Sequence, residues 1–225
     1  SQFKYHDAGN NSVILTFTGS ALQIPMNSLN SVSFLAPTNV AGSFTIQVQA
    51  LTIDTDPNGG APVQAISGSA TLTNLVIAPV ADAVTLAVDA PAVGLEDTAI
   101  PMVIRPSSAD ASETFTVTIS GIPVGASIYY NGALQTVTTG SVVINNFSTT
   151  VPLTITPPPH SNLDIPLTVS VVSVDTSNGI TSISNATSLP ILVDVRGVAD
   201  PVTLNLQTLH TSEAAVDANG QKISL

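Results

Sequence analysis

The chain contains no cysteine and no tryptophan, and only 4 of its 225 residues are lysine or arginine. Each shortage excludes something. Without cysteine there is no disulfide framework and no thiolate metal centre, and the redox state of the compartment is immaterial. With Lys4, Arg105, Arg196 and Lys222 as the only fixed cations, no basic surface can be assembled against phosphate. That excludes nucleic acid as a partner and argues against anionic membranes. No run of about 20 apolar residues is present, so no bilayer-spanning helix and no membrane insertion are expected. The chain does not open on a basic-then-apolar signal segment. It is read as an internal stretch of a longer protein whose export signal lies elsewhere.

What is present points one way. Apolar residues make up 44% of the chain, enough to fill real cores. They are mostly Val, Ile, Leu and Ala, accompanied by many Thr. The β-branched types are stiff at χ1 and fit a pleated, half-buried surface better than a helix. Punctuation by 16 Pro and 14 Gly completes an all-β composition. Fifteen acidic residues against four basic ones leave a formal net charge of −11. Such an excess serves solubility, and it is also what a set of oxygen-ligated calcium sites requires.

The chain repeats itself. Val80-Ala81-Asp82-Ala83-Val84-Thr85-Leu86 returns 118 residues later as Val198-Ala199-Asp200-Pro201-Val202-Thr203-Leu204. Upstream, Ala36-Pro37-Thr38-Asn39, Phe44–Val48 and Ile53-Asp54-Thr55 parallel Pro158-Pro159-His160-Ser161-Asn162, Leu167–Val171 and Val174-Asp175-Thr176. Downstream, Glu96 and Glu213 follow Asp82 and Asp200 at nearly equal distance. Internal periodicity on this scale marks a tandem array. Residues 82–199 form one complete module. Residues 1–81 correspond to the later two thirds of a preceding repeat, and 200–225 to the start of a following one.

Within the complete module, strands are expected at Val84–Val88, Ile100–Ile104, Thr114–Ser120, Ser127–Tyr130, Ser141–Ile144, Val151–Thr156, Ile165–Val174 and Leu189–Val195. Thr114–Ser120 alternates apolar and polar residues, and Asn131-Gly132 is hairpin-turn chemistry. Seven to nine short strands at this spacing imply tandem Ig-like β-sandwich modules.

Val80-Ala81-Asp82, Gly94-Leu95-Glu96-Asp97-Thr98-Ala99-Ile100-Pro101 and Ser112-Glu113-Thr114 through Ser120-Gly121-Ile122-Pro123-Val124-Gly125-Ala126 together resemble the Ig-like or cadherin-like repeat of giant type I-secreted RTX, biofilm-associated bacterial adhesins. The resemblance covers the central module and part of each neighbour. The acidic run that the family often carries near Ser107–Ala111 is reduced here to Asp110. The resemblance implies an extracellular, cell-surface location and calcium as the bound ion.

The acids group by repeat position. Asp54, Asp82 and Glu96 are expected around the first junction, and Asp175, Asp200 and Glu213 around the second. Each set draws a residue from a late strand, the linker and the first turn of the next module. Calcium takes six to eight oxygens in flexible geometry, so each set could be completed by carbonyls and water. Asp56, Asp97, Asp110 and Glu113 are secondary candidates. The competing reading is that these are solvated loop acids capping turns. No EF-hand loop and no glycine-rich nonapeptide occurs.

No enzymatic constellation is found. His6, His160 and His210 stand at unrelated positions and read as surface-loop residues, and no nucleophile elbow or phosphate loop accompanies the serines. The leading expectation is a structural spacer stiffened by Ca2+ at its junctions. It would contact neighbouring modules, and possibly other copies of itself, while adhesion to a host or biofilm surface resides elsewhere. A carbohydrate- or receptor-binding module remains open, with Tyr129-Tyr130 as a conceivable sugar platform. So does a surface-layer or filament subunit completed by strand exchange between chains.

Overall fold

Alternation of inward apolar residues, many of them β-branched, with outward Thr and Ser runs through the longer strands of this protein, which the computed structural model describes for residues 1–19, 21–205 and 218–220. Residues 1–81 contribute β1 (Gln2–His6), β2 (Ser12–Thr16), β3 (Ser33–Leu35), β4 (Gly42–Val48), β5 (Leu51–Asp54), β6 (Val63–Ile66) and β7 (Ala70–Ile77), with a short 3₁₀ helix at Met26–Ser31. Residues 82–199, the stretch that the sequence repeat marks as the complete module, contribute β8 (Thr85–Val88), β9 (Ala92–Leu95), β10 (Ile100–Pro101), β11 (Ile104–Ser107), β12 (Thr114–Ser120), β13 (Ser127–Tyr130), β14 (Ala133–Leu134), β15 (Ser141–Ile144), β16 (Leu153–Thr156), β17 (Ile165–Ser177), β18 (Ile180–Ile183) and β19 (Thr187–Arg196). The fold class is all-β.

In the complete module one sheet runs β15-β12-β17-β19-β9, with β18 paired to the far part of β17. Facing it are β10-β16-β13-β14 and the β8–β11 pair. Between them lies one core. Val117, Ile119, Val169, Val171 and Val193 from the first sheet are fully buried, as are Ile100, Ile128 and Ile155 from the second. Each such side chain contributes about 1.5–3 kcal/mol by leaving water. Tyr130 stacks on Phe147 with ring centroids 5.3 Å apart, and its hydroxyl accepts the Ser148 N–H. That ring belongs to the edge of the core.

The module has more segments than the seven to nine expected, β8 to β19. β9 is the instructive addition. Gly94 sits inside it, because a Cβ there would come within 2.5 Å of Ile100 Cγ1. Glycine inside a strand reads as a turn in sequence, yet here it permits close packing. β14 and β18 are short hairpin partners that follow Asn131-Gly132 and Asn178-Gly179, both in left-handed conformation.

Residues 1–81 pair their strands in the same way as the later part of the complete module. β1 lies between β2 and β3 as β13 lies between β14 and β16. β4–β5 folds back on β6–β7 as β17 folds back on β18–β19. Asn39 and His160 occupy matching positions after a proline-containing turn, with φ of 57° and 55°. Among the described residues, no helix is long and apolar enough to cross a membrane.

Candidate cation sites at the two ends of the complete module

The inward stripe of β17 reads Ile165, Leu167, Val169, Val171, Ser173, Asp175, all buried. Alternation carries the last two positions into the sandwich interior although they are polar. The same parity extends β12 backwards through Val117 and Phe115 to Glu113, which is 8% exposed. It extends β9 forwards through Ala92 and Gly94 to Glu96, 9% exposed. The open ends of the sandwich are therefore lined by carboxylates at positions where apolar side chains would otherwise sit.

The first end meets the linker after β7. The Asp82 N–H donates to Glu113 Oε1 at 2.5 Å, Ser173 Oγ donates to the Asp82 carbonyl, and the Ala81 N–H donates to Ser182 Oγ. Asp110 is buried nearby, and its carboxylate accepts the Ser112 N–H and hydroxyl. A cleft of about 200 Å³ separates Asn39, Val40 and Ala41 from Asp110, Ser112 and Asp175. Asn39 Nδ2 reaches across to donate to the Ala109 carbonyl at 3.1 Å.

Glu113 Oε2 is buried and has no hydrogen-bond partner among the described residues. None of the ion pairs among the described residues involves Asp110, Glu113 or Asp175. A buried, unsatisfied charged oxygen costs at least about 1–3 kcal/mol, and such groups pair with a cation or coordinate one. The donor set here is entirely oxygen, the set calcium takes. The three carboxylates do not all lie within 4.8 Å of one another, so an ion would draw them together by side-chain rotation.

The second end meets the linker after β19. Glu96 Oε1 accepts the Val198 N–H at 2.5 Å, and the Glu96 N–H donates to the Arg196 carbonyl. Asp164 Oδ1 accepts the Val195 N–H. Asp97 Oδ1 accepts the His160 N–H at 2.9 Å. His160 Nδ1 lies 3.5 Å from Asp97 Oδ2 and 3.2 Å from Asp200 Oδ2. Among the described residues, these three alone bring their ligand atoms within 4.8 Å of one another.

The expected triplets do not assemble. Asp82 touches Ser173, whereas Glu96 touches Arg196 and Val198. Ser173 and Asp164 are nine residues apart on an extended chain, which places these two ends roughly 30 Å from each other. The cause is that β8 and β9 do not form a hairpin. They follow one another along the module, β8 paired with β11 and β9 with β19, with the Val84 carbonyl beside Thr187 and Leu95 opposite Arg196, so the chain crosses the whole module between Asp82 and Glu96.

Asp175 is likewise at the first end and Asp200 at the second, because β17 leaves the second end and β19 returns to it. Asp54 is exposed and paired with Val63, twelve residues beyond Gly42 on the β4–β5 ladder, roughly 40 Å from the junction. Asp56 caps a turn, its Oδ1 accepting the Asn58 N–H. Glu213 lies outside the described residues.

The structure thus brings together Asp82, Asp110, Glu113 and Asp175 at one end, and Glu96, Asp97 and Asp200 at the other. Sequence reasoning missed His160, Asp164, Asn39 and Ser173 as neighbours of these acids. For Ser173 a signal existed, since it keeps the parity of the core stripe. No family model matches the chain, and no curated protein matches it.

Proposed function

We propose that this chain is an extender segment of a secreted or cell-surface bacterial adhesin, with modules braced by Ca2+ where they join. One observation carries the reading. At each end of the complete module a buried glutamate holds the linker backbone, Glu113 on the Asp82 N–H and Glu96 on the Val198 N–H. Linker geometry is thereby tied to carboxylates that have no cationic partner among the described residues. Asp110, Glu113, Asp175 and Asp82 would hold the ion at the first junction. Its charge would offset their mutual repulsion and fix the angle between neighbouring modules, giving an extended rod in which each unit contacts its neighbours. Such a rod holds a binding domain away from a cell and needs no catalytic group of its own.

The test is a comparison of melting temperature and small-angle scattering with millimolar calcium and with chelator. Calcium is expected to raise the melting temperature by about 10 °C, the effect of free ion at 100 times its dissociation constant. The maximum dimension should shorten or broaden with chelator as the junction loosens. Identical melting and scattering in both conditions would end the proposal.

A second reading is supported by one observation. In residues 1–81, Met26, Val63, Ile66 and Leu72 are all more than half exposed, apolar area left uncovered on the short helix, β6 and β7. Strand exchange between copies would cover it, in a surface-layer or filament assembly. Light scattering across a concentration series distinguishes this from a monomeric spacer.

A further inference from the structure

The two ends of the complete module differ in chemistry. At the first junction the left-handed residue that follows the proline-containing turn is Asn39, an amide that hydrogen-bonds across the cleft. At the second junction the matching residue is His160, an imidazole facing two carboxylates. The geometry points to Asp97, His160 and Asp200 as a mixed nitrogen–oxygen site for a first-row divalent ion of the Zn2+ type, distinct from an all-oxygen calcium site. This inference is independent of whether calcium braces the first junction.

Three features carry it. Nδ1 of His160 holds at most one proton, yet it faces carboxylate oxygens on two sides, at 3.5 and 3.2 Å. Charge-assisted nitrogen–oxygen hydrogen bonds are about 2.7–2.9 Å long, so neither contact is a strong one. Ligand atoms bound tetrahedrally at about 2.0–2.1 Å sit about 3.3–3.4 Å apart, which matches both separations. The donor set decides the metal class, because imidazole suits Zn, Cu, Fe and Ni, whereas calcium takes oxygen.

The third feature is orientation. Asp97 fixes His160 from behind, its Oδ1 accepting the His160 backbone N–H while Oδ2 faces the ring. Asp97 is itself in left-handed conformation, with φ of 57°. Two ligands thus come from opposite loops of one module, and the third, Asp200, comes from the linker. An ion here would tie the linker to the module beneath it. The site is exposed, so water would complete the coordination shell and the ion would exchange freely.

The experiment titrates Zn2+ and, separately, Ca2+ into the full 225-residue chain by calorimetry, for the unaltered protein and for His160→Asn. Asparagine is the appropriate replacement, because Asn39 already occupies the matching left-handed position. The expected result is a Zn2+ site whose affinity falls about tenfold or more in His160→Asn, with metal-free melting unchanged and the Ca2+ isotherm unaltered. Absence of Zn2+ binding would overturn the inference. So would a Zn2+ site that His160→Asn leaves intact, which would trace the binding to His6 or His210. Calcium binding weakened by His160→Asn as much as zinc binding would also overturn it, by making the site a general cation trap.

Discussion

Replacing Glu113 with glutamine separates a calcium ligand from an ordinary buried acid by the sign of its effect. The side chain is 8% exposed, one oxygen holds the Asp82 N–H, and the other has no partner among the described residues. Glutamine keeps the shape and the first hydrogen bond, and it exchanges a charged orphan oxygen for a neutral amide. Without metal, the removal of that charge should recover about 1–3 kcal/mol. In a module of this size that corresponds to a rise of roughly 3–10 °C in melting temperature. With calcium present the order should reverse. The unaltered protein gains about 2.7 kcal/mol at free calcium 100 times its dissociation constant, and Glu113→Gln forfeits most of that gain. The assay is calorimetric melting of both proteins in chelator and in a calcium series. Curves that cross are the expected outcome. A variant less stable by the same amount in both conditions would refute the reasoning, because Glu113 would then be a structural hydrogen-bond acceptor and nothing more.

Two further outcomes are expected. Gly94→Ala should destabilise the complete module by about 1–3 kcal/mol in denaturant titration, since its Cβ would meet Ile100 Cγ1 at 2.5 Å inside a packed core. Asp89 is held below the usual carboxylate range by its paired hydrogen bonds from Arg105. A carboxylate with a depressed folded pKa adds stability above its unfolded pKa, and loses it as pH falls through the folded value. In an NMR titration, Arg105→Gln should move the Asp89 midpoint upwards towards the ordinary value. Both side chains are more than half exposed, so melting at neutral pH should barely change.

Much of the fold was legible from composition and alternation. Thr114–Ser120, Ser127–Tyr130 and Ser141–Ile144 begin and end where the alternation places them. β9 was not, because Gly94 and the adjoining Glu96-Asp97 carry turn chemistry while their parity continues a strand. Legibility of the sites was uneven. Asp82, Glu96, Asp110, Glu113, Asp175 and Asp200 all lie at the ends of the 82–199 sandwich, yet repeat position alone does not show which of them meet. His160 reads as a loop residue and is one, with its side chain 72% exposed. Only its two carboxylate neighbours set it apart.

Alternation and repetition, both local properties of the chain, are enough to point to strands and to a small set of recurring acids. They cannot establish which acids meet. Residues at the same repeat position must lie at the same corner of successive modules. A junction therefore joins different repeat positions, one set from the foot of a module and another from the head of the next. Which set is foot and which is head depends on the direction of each strand across the sandwich. That is settled by β8 on β11 and β9 on β19 carrying the chain across the sandwich, and by the thirteen-residue span of β17. These long-range pairings place Glu113 beside Asp82 and leave Glu96 roughly 30 Å away, with Val198.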